Sequence, residues 1–335
     1  MRHYLITGAG GYVASWLIPA LLNEGHHVIA LDLADQPDSS HFVGVQASDL
    51  SANLRWYRAD VSETALLDVI FRRENPDICI HLAKPDYRSL DLYLPEERRE
   101  SQRCLDFASG TALAALANYI GVLEVAIRNG RVPVIFSSSD SVYGPNMSAV
   151  VNESSTPHPI SSKGVLNLMM EQYGRFYALR YGLPVTALRF FNIYGAWRKD
   201  WSGDVITRFC RALLDNEAVQ IFGSGHQQRD FVHIDDAVRA TLKVAENPSP
   251  GFNLYNVCTS QGISLLEVVK VLSSVSGRVV PIEHQAGRLG DLHCAVGSNK
   301  QLQMVTGYAP RMSLGDGLRQ TLDQAGLLTM RRALA

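Results

Sequence analysis

Gly8-x-x-Gly11-x-x-Ala14 stands between an apolar run, Tyr4-Leu5-Ile6, and a helical spacing of Val13, Trp16, Leu17, Ala20 and Leu21 that stops at Gly25. Small residues at a strand-to-helix turn let the backbone approach a pyrophosphate, while the helix N-terminus offers N–H groups and the positive end of its dipole. The chemistry this suits is dinucleotide binding, and the competing reading of the glycines alone is an ordinary turn. Asp32 closes the next apolar run, His27-Val28-Ile29-Ala30-Leu31. A carboxylate about twenty residues past the glycines accepts from both ribose hydroxyls and repels a 2′-phosphate. No Arg or Lys follows within Leu33-Ala34-Asp35-Gln36, so the pattern favours NAD over NADP. Asp60, in Arg58-Ala59-Asp60-Val61, is placed to bond an adenine amino group or to cap a helix ahead of Glu63.

The elements that must position these residues alternate along the first half of the chain. Further apolar runs at Ile78-Cys79-Ile80, Val132 to Phe136 and Val185 to Leu188 are separated by helical patterns around 112 to 129 and 164 to 181. Nearly continuous apolar strands alternating with helices predict a parallel sheet covered on both faces. After about Gly195 the elements shorten: strands at Val219 to Phe222 and Phe252 to Val257, and helices over 234–245, 264–274 and 314–325, expected as a smaller mixed lobe. The polar stretch from Lys84 to Ala117, carrying Glu96-Glu97-Arg98-Arg99-Glu100, is the longest connection and has the character of a functional lid.

Composition narrows the class. The 335 residues are 46% hydrophobic and 19% charged, with a net charge of -2 and no Lys/Arg run. This gives no electrostatic footprint for nucleic acid or an anionic membrane, and leaves a small molecule as the expected partner. No stretch reads as a membrane span, and Met1 to Ile6 runs into the glycine turn without room for a secretory leader, so a cytoplasmic protein is expected. Cys79, Cys104, Cys210, Cys258 and Cys294 lie far apart without a C-x-x-C pair, which points to reduced thiols and no metal site.

Eight motifs in register give the chain a family resemblance: Thr7 to Val13, Ile80-His81-Leu82-Ala83, Asn118-x-x-Gly121, Phe136-Ser137-Ser138-Ser139-x-x-Val142-Tyr143-Gly144, Leu188-Arg189-Phe190-Phe191-Asn192-x-Tyr194-Gly195, Gly223-x-Gly225-x-Gln227-x-Arg229-Asp230-Phe231, Ile234-Asp235-Asp236 and Arg288-x-Gly290-Asp291. The sequence resembles the extended short-chain dehydrogenases/reductases, specifically the NAD-dependent nucleotide-sugar epimerases and dehydratases. The resemblance implies an α/β fold with a Rossmann-like doubly wound parallel sheet over residues 1–190, to which a segment at about 228–248 returns, and a nucleotide-sugar lobe over 191–335. For NAD it implies Gly8, Gly11, Tyr12, Val13, Asp32, Leu33, Asp60, Val61, Leu82, Ala83, Lys84, Ser137, Lys163 and Phe190. For a nucleotide-diphosphate sugar it implies Ser139 on the sugar, Asn192 beside the phosphate or sugar, Arg229 and Arg288 as forks on the pyrophosphate, and Asp291 near the nucleoside or phosphate loop. Surface arginines paired to Asp230 and Asp291 are the bland alternative. A homodimer through the helices near 112–129 and 164–181 is also implied, with the run Leu168-Met169-Met170 either at that contact or in the core.

At the catalytic position the chain departs from its relatives. The family carries Tyr-x-x-x-Lys on one helix face, the phenol taking a hydroxyl proton as hydride leaves carbon. Pro159-Ile160-Ser161-Ser162-Lys163-Gly164-Val165-Leu166-Asn167 aligns without a gap to that segment, anchored by Glu171, Tyr181-Gly182 and Asn192, so Lys163 replaces the tyrosine and Asn167 the lysine. A second register puts Lys163 at the family lysine and Pro159 at the tyrosine, at the expense of an insertion. Both lack the tyrosine. Lys163 is then either a neutral proton acceptor or a charged ligand for phosphate or carboxylate. Asp140, in Ser139-Asp140-Ser141, is an acid or base in the manner of the family's dehydratases, or a cap or ion-pair partner. Lys84, Tyr87 and Tyr93 are further suppliers of the missing group, whereas Tyr143 and His81 read as packing residues.

The expected activity is transient oxidation of a sugar carbon, proton transfer and hydride return. Non-redox elimination or exchange with a structural NAD, and a catalytically silent sugar-nucleotide binder, are its rivals.

Overall fold

The computed structural model describes residues 1–38, 41–42, 52–84, 102–145, 150–195, 197, 204–287 and 294–327, with the backbone alone over 102–109. Arg288, Gly290, Asp291, Tyr87, Tyr93, the side chain of Cys104 and residues 85–101 of the connection expected as a lid lie outside them. The chain divides into two compact units, one of residues 1–142, 159–189 and 238–255, the other of 143–158, 190–237 and 256–335.

The first unit is built on strands β1 (His3–Thr7), β2 (His27–Asp32), β3 (Leu54–Arg58), β4 (Ile78–His81), β5 (Val134–Ser139) and β6 (Val185–Phe190). They lie in the order β6-β5-β4-β1-β2-β3, with the strand Phe252–Val257 outside β6. Pairing from β3 through β5 is parallel, Leu5 standing opposite Ile29 on one side and Cys79 on the other. This is the doubly wound α/β sheet the sequence pattern predicts. The order reverses between β1 and β4, and in such sheets the crevice for a ligand lies at the carboxyl ends beside that reversal. Every residue of β4 and β6 is buried, which explains why these strands read as unbroken apolar runs.

Helices α1 (Ala14–Asn23), α2 (Thr64–Glu74), α3 (Gln102–Arg128) and α4 (Ser162–Tyr181) cover the sheet. Helix α3 starts at Gln102, ten residues before the expected onset near 112, so the helix takes up part of the polar connection. Contrary to the expectation that no stretch is apolar enough to cross a membrane, Gly110–Arg128 is, by length and composition. Its only charges are Glu124 and Arg128. In the fold this segment is a core helix, with Tyr119, Val122, Leu123, Val125 and Ala126 fully buried beside Leu5, Cys79 and Phe136.

Helix α4 begins at Ser161, whose hydroxyl accepts from the Gly164 N–H, and ends at Gly182 with φ 68°. Within it Met170 is core and Leu168 half-buried, so of the run Leu168-Met169-Met170 only Met169 is exposed. Glu171 on α4 accepts from the Arg189 Nε at 2.8 Å and Nη2 at 2.6 Å, and from the Ser138 hydroxyl at 2.6 Å. Arg189 and Glu171 are 2% and 3% exposed, so the pair has left water altogether.

The second unit has its own core, where Ile206, Phe209, Leu213, Ile221, Val268 and Leu318 meet. Its helix Val205–Asp215 is capped by Asp204 and its helix Leu265–Ser276 by a Ser264–Glu267 capping box. Small sheets join Val219–Phe222 to Ile282–Gln285 and Asn192–Tyr194 to Phe231–His233, which makes it a mixed α/β unit. Cys79, Cys210, Cys258 and Cys294 are free thiols.

Breaking the buried ion pair from one side strands the other charge. Arg189→Met should therefore lower unfolding stability by about 3–5 kcal/mol, and the double variant Glu171→Met, Arg189→Met should recover most of the loss. Denaturant unfolding of the three proteins checks this, and equal losses in the single and double variants would contradict it.

Candidate active site

The carboxyl ends of β1, β2, β4 and β5 form one edge of the first unit, and its candidate residues stand on that edge. Gly8 follows β1 with φ +72°, and a Cβ there would lie 2.6 Å from the Ala83 nitrogen, so only glycine lets the turn seat against the end of β4. The Gly8 and Ala9 N–H groups bond the Leu31 carbonyl. Asp32, at the end of β2, accepts from the Gly10 N–H at 2.9 Å and the Ala34 N–H at 3.0 Å, which turns its carboxylate toward the glycine loop. No side chain caps the N-terminus of α1. A bare helix N-terminus, a turn that a side chain would obstruct and a carboxylate beside it fit a dinucleotide.

Around this loop Gly11 is exposed, Tyr12 and Val13 are half-buried, Val61 is buried, and Leu33 is 67% exposed. Asp60 accepts from the Ser62 N–H at 2.8 Å while Glu63 takes the N-cap position of α2, so Asp60 orders the turn before the helix rather than capping it. Leu82, Ala83 and Lys84 are half-buried at the end of β4.

Ser139 is the last residue of β5, and Asp140 opens the 3-10 turn Asp140–Val142. The Ser139 hydroxyl donates to Asp140 Oδ1 at 2.9 Å and accepts from the Ser141 N–H at 3.2 Å. The first turn of α4 lies against this turn because residue 164 has no side chain: a Cβ there would be 2.4 Å from the Ser141 carbonyl oxygen. That contact brings Lys163, half-buried, and Asn167, fully buried, to the edge that carries Asp140.

Asn167 donates from Nδ2 to the Lys163 carbonyl at 2.7 Å, and its Oδ1 accepts from the ammonium end of Lys84, which also donates to the Ser137 carbonyl. Lys84 is half-buried as a residue, while its nitrogen lies among protein atoms. Desolvation, then the neighbouring Lys163 charge, pulls Lys84 down from 10.5 to about 7, against a smaller opposing effect of Glu171. His81 is buried, with Nδ1 2.8 Å from the Thr7 hydroxyl, and desolvation followed by the Lys84 charge holds it down to about 3.

Phe190, Asn192 and Arg229 belong to the second unit. Phe190 is 6% exposed, and the Asn192 amide donates to the Asp230 carbonyl at 3.4 Å. Asp230 accepts from the Thr259 N–H at 2.7 Å, the Thr259 hydroxyl at 2.6 Å and the Ser260 N–H at 2.9 Å; burial outweighs these bonds and raises its carboxyl to about 6. Tyr143 is buried and donates to Asn256 Oδ1 at 2.7 Å.

The model of the NAD dependent epimerase/dehydratase family matches residues 4–258. The chain belongs to this family. Over the whole length it is 27% identical to a UDP-glucose 4-epimerase of Mycolicibacterium smegmatis, covering 95% of this chain and 97% of that one. Among solved structures, MoeE5 in complex with UDP-glucuronic acid and NAD is 30% identical with TM-score 0.80, covering 99% of both chains. The UDP-glucose 4-epimerase of Thermotoga maritima with UDP-glucose is 26% identical with TM-score 0.80, covering 99% of this chain and 100% of that one. NAD is the cofactor of the family, in accord with Gly8, Gly11 and Asp32.

The family's motifs do not disclose two features of this member. One is the Lys84–Asn167 contact, which joins residues far apart in sequence. The other is the Arg189–Glu171–Ser138 network; a charged residue inside the apolar run Leu188-Arg189-Phe190 was the signal that could have found it.

His81 gives this member a pH signature. Its folded state binds a proton more weakly than the unfolded chain, so its contribution is complete above 6.5 and is lost as the pH falls toward 3. By pH 5 the loss should be about 2 kcal/mol. Asp230, with its raised pKa, acts in the opposite direction between 3.8 and 6. The comparison of wild type with His81→Gln isolates the histidine: the variant's denaturation midpoint should fall less between pH 7 and 5, and parallel curves would contradict the assignment.

Proposed function

We propose that the protein is a UDP-sugar epimerase or dehydratase of the cytoplasm whose proton-handling groups are Lys163 and Asp140 in place of the family's tyrosine. The observation that carries this reading is the assembly of Ser139, Asp140, Lys163 and Asn167 on the sheet edge that also bears the Gly8 loop, while the first three turns of α4 contain no tyrosine. Whole-length similarity to proteins solved with UDP-glucose, UDP-glucuronic acid and NAD supports the substrate class.

In this reading Gly8, Gly11, Tyr12, Val13, Asp32, Leu33, Asp60, Val61, Leu82, Ala83, Ser137 and Phe190 hold NAD, with Lys84 and Lys163 beside it. When bound, NAD supplies the acceptor and donor of a hydride for transient oxidation of the sugar. The chain's own work is positioning and proton transfer. Ser139, already donating to Asp140, orients a sugar hydroxyl; Lys163 takes up its proton and returns it; Asp140 serves a second proton transfer beside the transient carbonyl. Asn167, engaged by Lys84 and by the Lys163 carbonyl, keeps both lysines in place. Arg229 and Arg288 grip the diphosphate, with Asn192 and Asp291 beside it. No net redox change results.

Incubation with UDP-sugars in deuterated water, followed by NMR of the sugar protons with nicotinamide absorbance recorded in parallel, tests the reading. Deuterium entry or inversion at a sugar carbon with a transient reduced cofactor is expected. Exchange without that transient would indicate a non-redox step, and binding with neither a silent binder. Asp140→Asn should lose at least about a hundredfold in rate with sugar-nucleotide affinity nearly unchanged. Wild-type turnover in that variant would remove Asp140 from the mechanism.

A homodimer completes the proposal. Val165, Met169, Tyr173 and Phe176 are 45%, 38%, 39% and 50% exposed along one side of α4, and Leu113 of the adjoining α3 is 62% exposed. Such a stripe suits the same stripe on a second copy. Light scattering should give twice the chain mass, and Phe176→Glu should shift it to that of one chain; a monomeric wild type would contradict the proposal.

A further inference from the structure

The order of the strands divides a dinucleotide between two sides of the sheet. In the reading given above, Asp32 at the end of β2 takes the ribose of one nucleoside and the glycine turn after β1 takes the pyrophosphate. The second nucleoside then runs the other way, across the reversal and over the ends of β4 and β5. Neighbouring strands stand about 4.8 Å apart, so this half of the cofactor spans both. A side chain is already assembled at those ends. Ala83, against which Gly8 seats, is followed by Lys84, and the Leu82 N–H on the Thr7 carbonyl fixes this end of β4 to β1. The Lys84 nitrogen donates to the Ser137 carbonyl of β5 and to Asn167 Oδ1 of α4. Asn167 is fully buried and its orientation is settled: Nδ2 donates to the Lys163 carbonyl at 2.7 Å, which leaves the oxygen for Lys84. An ammonium carries three N–H donors, and among the described residues two neutral oxygens engage Lys84. The third donor calls for one more acceptor over the ends of β4 and β5, and the part of the cofactor that offers adjacent hydroxyls there is its second ribose.

We propose that Lys84 binds the hydroxyls of the nicotinamide ribose of NAD, with Asn167 as the residue that steers it there. The assignment rests on the placement of NAD in the reading given above and not on the reaction proposed there. In this arrangement the cation that the family carries on α4 is delivered from β4, and residue 167 is its acceptor. One task is divided between a strand end and a helix. Because Asn167 Oδ1 already touches the Lys84 nitrogen, an ammonium carried by residue 167 reaches the same place from the helix side. The two positions are therefore exchangeable, which a purely structural role for Lys84 does not require.

Calorimetric titration of the full-length protein with ADP, ADP-ribose, NAD and UDP-glucose tests this, because ADP-ribose and NAD carry the second ribose and ADP does not. At about pH 6, below the value of about 7 to which burial and the Lys163 charge bring it, Lys84 is largely an ammonium. Lys84→Met should weaken ADP-ribose and NAD at least about tenfold and leave ADP within about twofold of wild type. If that variant does not fold, Lys84→Gln, which keeps an amide donor, should give the same pattern. The double variant Lys84→Met, Asn167→Lys should recover most of the loss. Equal weakening of all three adenine nucleotides in Lys84→Met, or of none, overturns the proposal, as does a loss confined to UDP-glucose, which would put Lys84 on the substrate. A double variant no tighter than the single one overturns the sharing of this task by residues 84 and 167. Asp32→Asn should weaken ADP, ADP-ribose and NAD alike; if ADP binds to it as to wild type, the placement of NAD fails and the proposal with it. Failure of every UDP-sugar to react overturns the proposed reaction alone, since these affinities are read without turnover.

Discussion

The ion pair between Glu171 and Arg189 is the constraint on which the site depends. Lys163, Asn167 and Glu171 follow one another at intervals of four along α4, so they share one face of the helix. Glu171 is locked from two strands, by Arg189 of β6 and Ser138 of β5, both in the interior. A helix held by its second and third turns in this way cannot roll without stranding a charge in the core. Its rotation therefore determines where Asn167 and Lys163 stand with respect to the ends of β4 and β5. Gly164 sets the remaining degree of freedom, the distance of the first turn from Ser141.

The same pair shapes the electrostatics. Arg189 holds the Glu171 carboxylate bidentately and Ser138 donates to it as well, and Glu171 exerts only a small opposing effect on Lys84. Desolvation at the end of the buried strands, then the Lys163 charge, pulls Lys84 down to about 7. Burial, with the Lys84 charge as a smaller effect, holds His81 down to about 3.

Legibility in the sequence followed the range of the interactions. Strands β1, β2 and β4 and the glycine turn were readable because their signals are local: continuous apolar residues, a strand-to-helix glycine pattern and an acid at the end of the following strand. Family membership and NAD rested on those signals and on motifs in fixed order. Helix α3 is longer than its apolar periodicity announces, because Gln102 to Thr111 follows a charged stretch and carries no continuous apolar stripe, and the apolar half that follows is rich in Ala and Gly, which do not read as a strong hydrophobic run. The Lys84–Asn167 bond spans 83 positions, and no periodicity or spacing could announce it. Arg189 does carry a signal in the sequence: a charge between Leu188 and Phe190 in a buried strand demands a partner.

Lys84 and Lys163 reach the site from different elements, one from the end of a strand and the other from the first turn of a helix, and this bears on how such a centre tolerates change. When a side chain sits on a helix, its position depends on the rotation of that helix, and here Glu171 fixes the rotation. When it sits at the end of a strand, its position depends on the register of the sheet, which Ile6 opposite Ile80 and the Leu82 N–H on the Thr7 carbonyl maintain. Asn167 links the two frames through a short amide that accepts from one lysine and donates to the backbone of the other. Asn167 is fully buried, and both ends of its amide are bonded within the protein. Because the same residue ties the end of β4 to the first turn of α4, a change at residue 167 disturbs strand and helix together rather than either alone.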